Sequence, residues 1–306
     1  MTDPFESPGL DRITLAILLP ILLAGPAFVS AQDDLIWGLL EPDNTVYMQL
    51  DEGMVVIELN PVFAPKTVKQ FKGLLEEQFY RGLSFYRVID GFVAQGGDES
   101  DIGDTHDVPA LKAEFEINWP VKPKDKKEAK DWQPMSWTLV QKEDMFAPYT
   151  GFIDGFAAAR DAKKDGKAWL THCPGTVAMA RNTGPDTGST DFYIVIGQAP
   201  RYLDRNLTIF GRVVWGMDVV QRIKRGPTLE NGIITEDLQR TWIKRMRLAS
   251  SLDEGERLNI YVADTNGKGF RKMLKERRNR SNKFFHRKPP KVLDICQVPV
   301  PARLEK

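Results

Sequence analysis

The stretch that decides the fold prediction is FYRVIDGFVAQGGD, residues 85–98. Residues 83–89, which include its first half, are typical of a β-strand, and residues 92–95 are a second strand-like run. The turn-forming pair Asp90-Gly91 separates the two runs, and Gly96-Gly97 ends the second. The stretch therefore predicts two short strands joined by a tight turn.

Short strands recur on both sides of this pair. Two alternating runs around 51–53 predict a hairpin, and APKT at 64–67, followed by apolar residues at helical spacing, predicts the start of a helix. A second short helix is predicted over 216–224, and further strands over 176–180, 191–196 and 209–214. Many short strands with Gly-rich turns and two helices favour a mainly β fold, a closed antiparallel barrel capped by the helices.

Length and composition limit the class of protein. The chain has 306 residues, of which 42% are hydrophobic and 27% charged, and this is typical of a globular protein rather than a fibrous or disordered one. Lys plus Arg and Asp plus Glu number 42 each, so the chain has no overall charge that would attract nucleic acid or a membrane.

The first 31 residues have the pattern of a signal peptide. An apolar run at 13–24 is followed by Val29-Ser30-Ala31, with small residues where signal peptidase requires them. The run is shorter than the ~20 residues that a membrane span needs. We expect cleavage after Ala31 and an exported chain without a stable membrane anchor, periplasmic if the source is a Gram-negative bacterium. An uncleaved anchor or a buried helix is the alternative.

The chain contains two cysteines, Cys173 and Cys296. A single pair in an exported protein suggests one disulfide bond, and two free thiols are the alternative. The three histidines stand far apart, so the sequence contains no cluster with metal-ligand spacing and we expect neither a metal nor another cofactor.

Three segments are predicted: the signal peptide at 1–31, a core domain at 32–224 and an extension at 225–306. Within the core, residues 119–170 are rich in proline and charge and are predicted to form a loop-rich insertion. The extension is predicted to be α+β and packed on the barrel. Eleven Lys or Arg lie between 268 and 291, where they either form a solvated helix face or bind an anionic surface.

Three blocks of the core resemble the cyclophilin family of peptidyl-prolyl cis–trans isomerases. Residues 85–98 resemble the family's signature, PGTVAMA at 174–180 resembles its pocket strand, and the segments at 191–194, 202–204 and 209–213 resemble its closing block. The resemblance implies a barrel of eight strands capped by two helices. With the leader, insertion and extension, it implies an exported bacterial member, which we expect to be a monomer that acts on proline-containing unfolded or exported polypeptides and not on nucleic acid.

The resemblance also assigns roles to single residues. Arg87 is the implied catalytic residue, because its guanidinium would donate a hydrogen bond to the prolyl nitrogen as the amide twists. The implied substrate-binding residues are Phe92, Val93, Met179 and Tyr193 around the proline ring, Gln95 on the neighbouring carbonyl, Ala180 and Arg181 along the peptide backbone, Tyr202 and Leu203 in the outer wall, and Asp191 near Arg87.

Several of these positions depart from the family pattern. The family's His, pocket Met, pocket Phe and wall Trp are replaced by Tyr86, Val93, Tyr193 and Tyr202. At Asp191 the family usually has a neutral Gln. A carboxylate there would pair with Arg87, and this pairing would weaken the hydrogen bond that Arg87 donates to the prolyl nitrogen, since charge-assisted hydrogen bonds are the stronger ones. We therefore expect weaker activity than in members with Gln.

Two functions fit these observations. The first is an isomerase that assists the folding of exported proteins. The alternative is a catalytically weakened proline-peptide-binding module or holdase chaperone, which Tyr86, Val93 and Asp191 favour. In the family, the region of the insertion lies on the side of the peptide groove, so the insertion either extends substrate contact or serves as a stabilising flap.

Overall fold

The computed structural model describes residues 34–99, 108–120, 135–163 and 166–305. The predicted signal peptide at 1–31 lies outside these residues. Within them, the helices are α1 Pro65–Glu76, α2 Met217–Val220 and α3 Lys268–Asn279. The strands are β1 Trp37–Leu39, β2 Thr45–Leu50, β3 Gly53–Leu59, β4 Ser84–Ile89, β5 Val93–Gly97, β6 Ile117–Trp119, β7 Trp137–Lys142, β8 Tyr149–Ile153, β9 Phe156–Arg160, β10 Gly166–Leu170, β11 Thr176–Met179, β12 Phe192–Val195, β13 Ile209–Trp215, β14 Thr241–Trp242, β15 Arg245–Leu248, β16 Asn259–Ala263 and β17 Ala302–Glu305.

The largest sheet is antiparallel and has nine strands in the order β14-β4-β5-β12-β11-β13-β3-β2-β15. Its first and last strands come from one short piece of chain, since only Ile243 and Lys244 separate β14 from β15. The sheet therefore curls. The fold is mainly β, as predicted, but the closed barrel of eight strands is not confirmed: the sheet has nine strands, and the described strand pairings include none between β14 and β15. The sheet also continues past residue 224, where the sequence places the end of the core.

The interior of the curled sheet is filled by one apolar cluster that includes the buried face of α1. Phe71 of this helix lies with its ring centroid 4.9 Å from Phe210 and 6.0 Å from Phe192, on two different strands. Helix α1 begins with Pro65, which suits a first helical turn, and the residue before it provides no side-chain cap. The carboxylate of Glu114 accepts hydrogen bonds from the backbone N–H groups of Lys66 and Thr67 instead, both at 3.0 Å.

The insertion is not loop-rich, contrary to the prediction. Its described part forms a five-stranded antiparallel sheet in the order β6-β10-β9-β8-β7. One face packs against the outer face of the curled sheet, where Ile153, Ala158 and Leu170 join a cluster with residues of β5 and β12. The other face packs against the C-terminal part, where Phe152 lies 5.3 Å from Phe270 of α3. Because both faces of β8, β9 and β10 are largely buried, these three strands lack the polar–apolar alternation that is typical of a half-buried strand.

The C-terminal residues form a third, three-stranded sheet in the order β1-β16-β17, together with α3. The predicted disulfide bond between Cys173 and Cys296 is confirmed. It joins the chain just after the insertion to a short 3-10 turn at Ile295–Gln297. Among the described residues, no helix is both long and apolar enough to cross a membrane.

Candidate active site

The site lies on the outer face of the curled sheet, where β4, β5, β12 and β11 are neighbours. A bulge in β4 shapes it: Phe85 pairs with Gly96 and Arg87 with Gln95, so Tyr86 is an extra residue between two regular pairs. A bulge re-aims the side chains around it. As a result, both Tyr86 and Arg87 reach the side chain of Gln95.

Four side chains form a continuous chain of hydrogen bonds. Arg87 donates from Nη1 to Oε1 of Gln95 at 3.1 Å, and Gln95 donates from Nε2 to the Tyr86 hydroxyl at 2.6 Å. The Tyr86 hydroxyl in turn donates to Oδ2 of Asp191. This arrangement corrects the prediction that Asp191 pairs directly with Arg87, because within the described residues Gln95 and Tyr86 lie between the two charges.

Tyr86 is buried, with 2% of its surface exposed. Its pKa is held above the ordinary value, first by burial, which disfavours the phenolate, and then by the negative charge of Asp191 and the hydrogen bond to it. Tyr86 therefore remains a protonated donor at neutral pH, as the hydrogen-bond chain requires.

An apolar surface adjoins this chain of hydrogen bonds. Val93 and Tyr193 are only 3% and 5% exposed and form the floor of the candidate site. Phe92 and Ala180 belong to the same cluster and are partly exposed, so they form the rim. Tyr202 is 65% exposed, which suits its predicted place in an outer wall together with the partly exposed Leu203.

Two predicted site residues lie differently from expectation. The side chain of Met179 belongs to the interior cluster with Phe192, because alternate residues of β11 face opposite sides of the sheet and Ala178 and Ala180 take the outer side. The guanidinium of Arg181 donates to the backbone carbonyl of Asn182 in its own loop and to that of Asn206 in the loop before β13. Met179 thus belongs to the core and not to the apolar surface of the site, and Arg181 connects two loops.

A buried polar network beneath the floor was not predicted. Nε2 of His172 lies 2.8 Å from the Tyr193 hydroxyl, and Nδ1 lies 3.0 Å from Oδ1 of Asp204. Arg201 donates to the other oxygen of Asp204 at 2.6 Å. Burial, and then the charge of Asp204, raise the pKa of Tyr193. The sequence contains a signal for such a network, because a Tyr that is predicted in an apolar floor needs a hydrogen-bond partner for its hydroxyl.

The network connects the floor to the wall. Arg201 begins the 3-10 turn Arg201–Leu203 that carries the wall residues, so the hydrogen bonds from Tyr193 to Arg201 fix the wall relative to the floor. Among the described residues, no group of three His, Cys, Asp or Glu side chains is placed to hold a metal ion. The expectation that no cofactor is needed stays a prediction.

The fold and the site together define a protein class. Residues 45–244 match the model of the family described as "Cyclophilin type peptidyl-prolyl cis-trans isomerase/CLD". The chain therefore belongs to the cyclophilin-type peptidyl-prolyl cis–trans isomerases, a family of enzymes.

Individual relatives agree with this assignment. A probable peptidyl-prolyl cis-trans isomerase of Brucella suis is 31% identical over 222 residues, which cover 69% of this chain and 88% of the relative. The human peptidyl-prolyl cis-trans isomerase-like 1 is 30% identical over 183 residues, covering 60% and 80%. The crystal structure of cyclophilin AquaCyp293 from Hirschia baltica superposes with a TM-score of 0.69 at 28% identity and covers 90% of this chain and 96% of its own. This last likeness extends beyond residues 45–244.

Proposed function

We propose that this chain catalyses cis–trans isomerisation of X–Pro bonds in polypeptides, with Arg87 as the catalytic residue. The observation that carries the proposal is the Arg87–Gln95 pair, joined at 3.1 Å, beside an apolar floor made by Val93 and Tyr193. A fixed cation, a carbonyl-binding amide and an apolar pocket are the three groups that this reaction needs.

The physical chemistry of the reaction explains these needs. Rotation about an amide has a barrier of about 18–20 kcal/mol because resonance is lost. In the twisted state, the prolyl nitrogen becomes pyramidal and gains a lone pair that can accept a hydrogen bond. A donor placed at that nitrogen stabilises the twisted amide more than either planar form, and it thereby lowers the barrier.

Each group of the site has a part in this mechanism. The guanidinium of Arg87 has five N–H donors, and the bond to Gln95 occupies one, so donors remain for the prolyl nitrogen. The amide of Gln95 would bind the carbonyl next to the twisting bond. The floor and rim would hold the proline ring while the rest of the peptide rotates. The reaction is a rotation about the amide bond, and no covalent bond is made or broken.

The position of Asp191 bears on catalytic strength. Its carboxylate accepts from Tyr86, so the reason for expecting it to weaken Arg87 by direct pairing is removed. Tyr86 and Asp191 instead support the orientation of Gln95. This favours an active enzyme over a binding module or holdase that has lost turnover.

A protease-coupled assay with proline peptides on the chain from Gln32 onward tests the proposal. We expect Arg87→Ala to lower kcat/KM by about 100-fold, as for loss of a donor in other preorganised sites. Arg222→Ala is the matched control, since Arg222 pairs with Asp218 on α2, away from the site. Equal activity of wild type and Arg87→Ala would contradict catalysis by Arg87. A wild type that binds proline peptides without isomerising them would support the holdase.

We further propose that the protein is exported and assists the folding of proline-containing exported polypeptides. The apolar run at 13–24 and the single disulfide bond, which is typical of oxidising compartments, support this. Cell fractionation and N-terminal sequencing test it. We expect a mature chain that begins at Gln32, and a variant without residues 1–31 should remain in the cytoplasm. A full-length chain found in the cytoplasm would contradict export.

A further inference from the structure

The insertion carries a group of large side chains that are partly exposed. We call Trp119, Met135, Trp137, Tyr149 and Arg160 the aromatic platform. The rings of Trp119 and Trp137 lie with their centroids 6.2 Å apart. The guanidinium carbon of Arg160 lies 5.2 Å from the centroid of Trp137 and 4.8 Å from that of Tyr149. Rings and cation therefore form one contiguous surface.

The platform and the candidate site rest on one apolar cluster. Trp119, Met135 and Trp137 pack on the same cluster that contains the floor of the site, Val93 and Tyr193. Residues of β8, β9 and β10 belong to this cluster as well. The platform and the candidate site therefore lie on the same, outer side of the curled sheet.

The local structure keeps Trp137 close against the sheet. Gly151 lies on the neighbouring strand β8 under the Trp137 indole, and a Cβ added there would lie 2.8 Å from Cζ2 of the indole and 2.4 Å from the carbonyl oxygen of Thr138. The missing side chain lets the indole lie over the strand. Large aromatic rings that are partly exposed and grouped together are typical of binding surfaces.

We propose that the aromatic platform is an extended substrate subsite that binds an aromatic side chain flanking the proline of the polypeptide. The proposal rests on the proposed isomerase function and specifies its substrate class. Aromatic rings pack favourably on Trp and Tyr rings and on a guanidinium, and unfolded polypeptides expose such rings. The insertion would thus extend substrate contact and not only stabilise the fold.

The test on the wild-type protein uses peptides that differ at one position. A reference peptide has alanine at every position within four residues of the proline, and each other peptide has one phenylalanine at one of these positions. We expect at least one phenylalanine peptide to have kcat/KM about tenfold above the reference, the gain of one aromatic contact. If the reference is turned over and no phenylalanine changes kcat/KM by more than twofold, the subsite is refuted.

Variants locate the effect on the platform. We expect Trp137→Ala and Trp119→Ala each to reduce the ratio of kcat/KM between the best phenylalanine peptide and the reference to about twofold or less. Met145→Ala is the matched control, because Met145 belongs to the insertion, is 90% exposed and lies outside the cluster. The control should keep the full ratio. An unchanged ratio in both Trp variants would place the selectivity elsewhere and overturn the proposal.

The outcomes separate this inference from the proposed function. If wild type turns over neither the reference nor any phenylalanine peptide, the isomerase function fails and the subsite fails with it. If it turns over all of them equally, only the subsite fails. The wild-type series decides between these results even where a Trp variant does not fold.

Discussion

Tyr86 occupies the bulge of β4, and its hydroxyl connects Gln95 to Asp191. In the mechanism proposed above, Tyr86 is a positioning residue, because its hydroxyl accepts from Gln95 and Gln95 in turn accepts from Arg87. A family position that usually carries His is thus filled by a side chain that both donates and accepts one hydrogen bond.

We predict that Tyr86→Phe lowers kcat/KM by about five- to tenfold, because one hydrogen bond that orients Gln95, worth ~0.5–1.5 kcal/mol, is lost. The decrease should appear mainly in kcat. In a Gln95→Ala background, the same change should have no further effect. Tyr47→Phe, which removes a hydroxyl bonded to the backbone of Leu258 and lies away from the site, should leave activity unchanged. An equal loss in both Tyr variants would indicate a general effect on folding.

The raised pKa of Tyr86 gives a pH dependence with a definite sign. The ordinary pKa is 10.0, and the folded value is higher. The contribution of this group to stability is therefore fully present below pH 10 and is lost as pH rises above it. We expect the free energy of unfolding to fall more steeply above pH 10 in wild type than in Tyr86→Phe, as measured by urea unfolding. Equal slopes would contradict the raised pKa.

The sequence predicts Arg87 and Gln95 in one site, on the prolyl nitrogen and on the neighbouring carbonyl. The structure brings the two side chains together through a hydrogen bond, and their roles on a substrate stay a prediction. The pairing of Asp191 was not predictable, because it depends on the bulge that brings Tyr86 between the two charged groups. The side of the sheet that Met179 faces depends on strand register, which the sequence does not specify by itself.

Among the elements, α1 depends on a carboxylate from far along the chain. Glu114 accepts from two N–H groups of its first turn and from the Thr67 hydroxyl at 2.9 Å. A negative charge at a helix N-terminus also interacts favourably with the helix dipole. The helix and the start of the insertion region are therefore energetically coupled.

We predict that Glu114→Ala lowers the free energy of unfolding by about 1–2 kcal/mol, the usual effect of losing an N-terminal cap. Glu114→Gln should lower the free energy of unfolding less, because the amide oxygen of Gln can still accept hydrogen bonds from the N–H groups of the helix. Glu76→Ala is the control, since Glu76 is exposed at the other end of α1. Urea unfolding measures all three. If Glu114→Ala has no larger effect than Glu76→Ala, the cap contributes nothing.

The insertion sheet is the element that sequence reasoning missed. Strand β9 reads FAAAR, and its small residues fit between the curled sheet and the C-terminal part. A strand that is covered on both faces has no alternation, and alanine has little strand propensity. Only the packing partners on both sides identify this stretch as a strand.

At the scale of the whole molecule, the disulfide bond closes a long loop, since Cys173 and Cys296 are 123 residues apart in sequence. We predict that replacing both cysteines by serine lowers the free energy of unfolding by about 2–4 kcal/mol, because the unfolded chain gains freedom. Urea unfolding of wild type under reducing conditions should match this variant. The variant itself should not respond to the reductant. Wild type that is equally stable with and without reductant would contradict the prediction.

The strands β14 and β15 have a consequence for how the protein is made. They complete both ends of the nine-stranded sheet, one on β4 and the other on β2, and they come late in the chain. While the ribosome is still synthesising the residues before 241, both outer strands of the growing sheet have open backbone edges, which are sites for wrong pairing with other chains. The nascent chain thus depends on residues 241–248, in the last quarter of its sequence, before β4 and β2 are covered, and a product that ends before residue 241 would leave both of these strands exposed at the ends of the sheet.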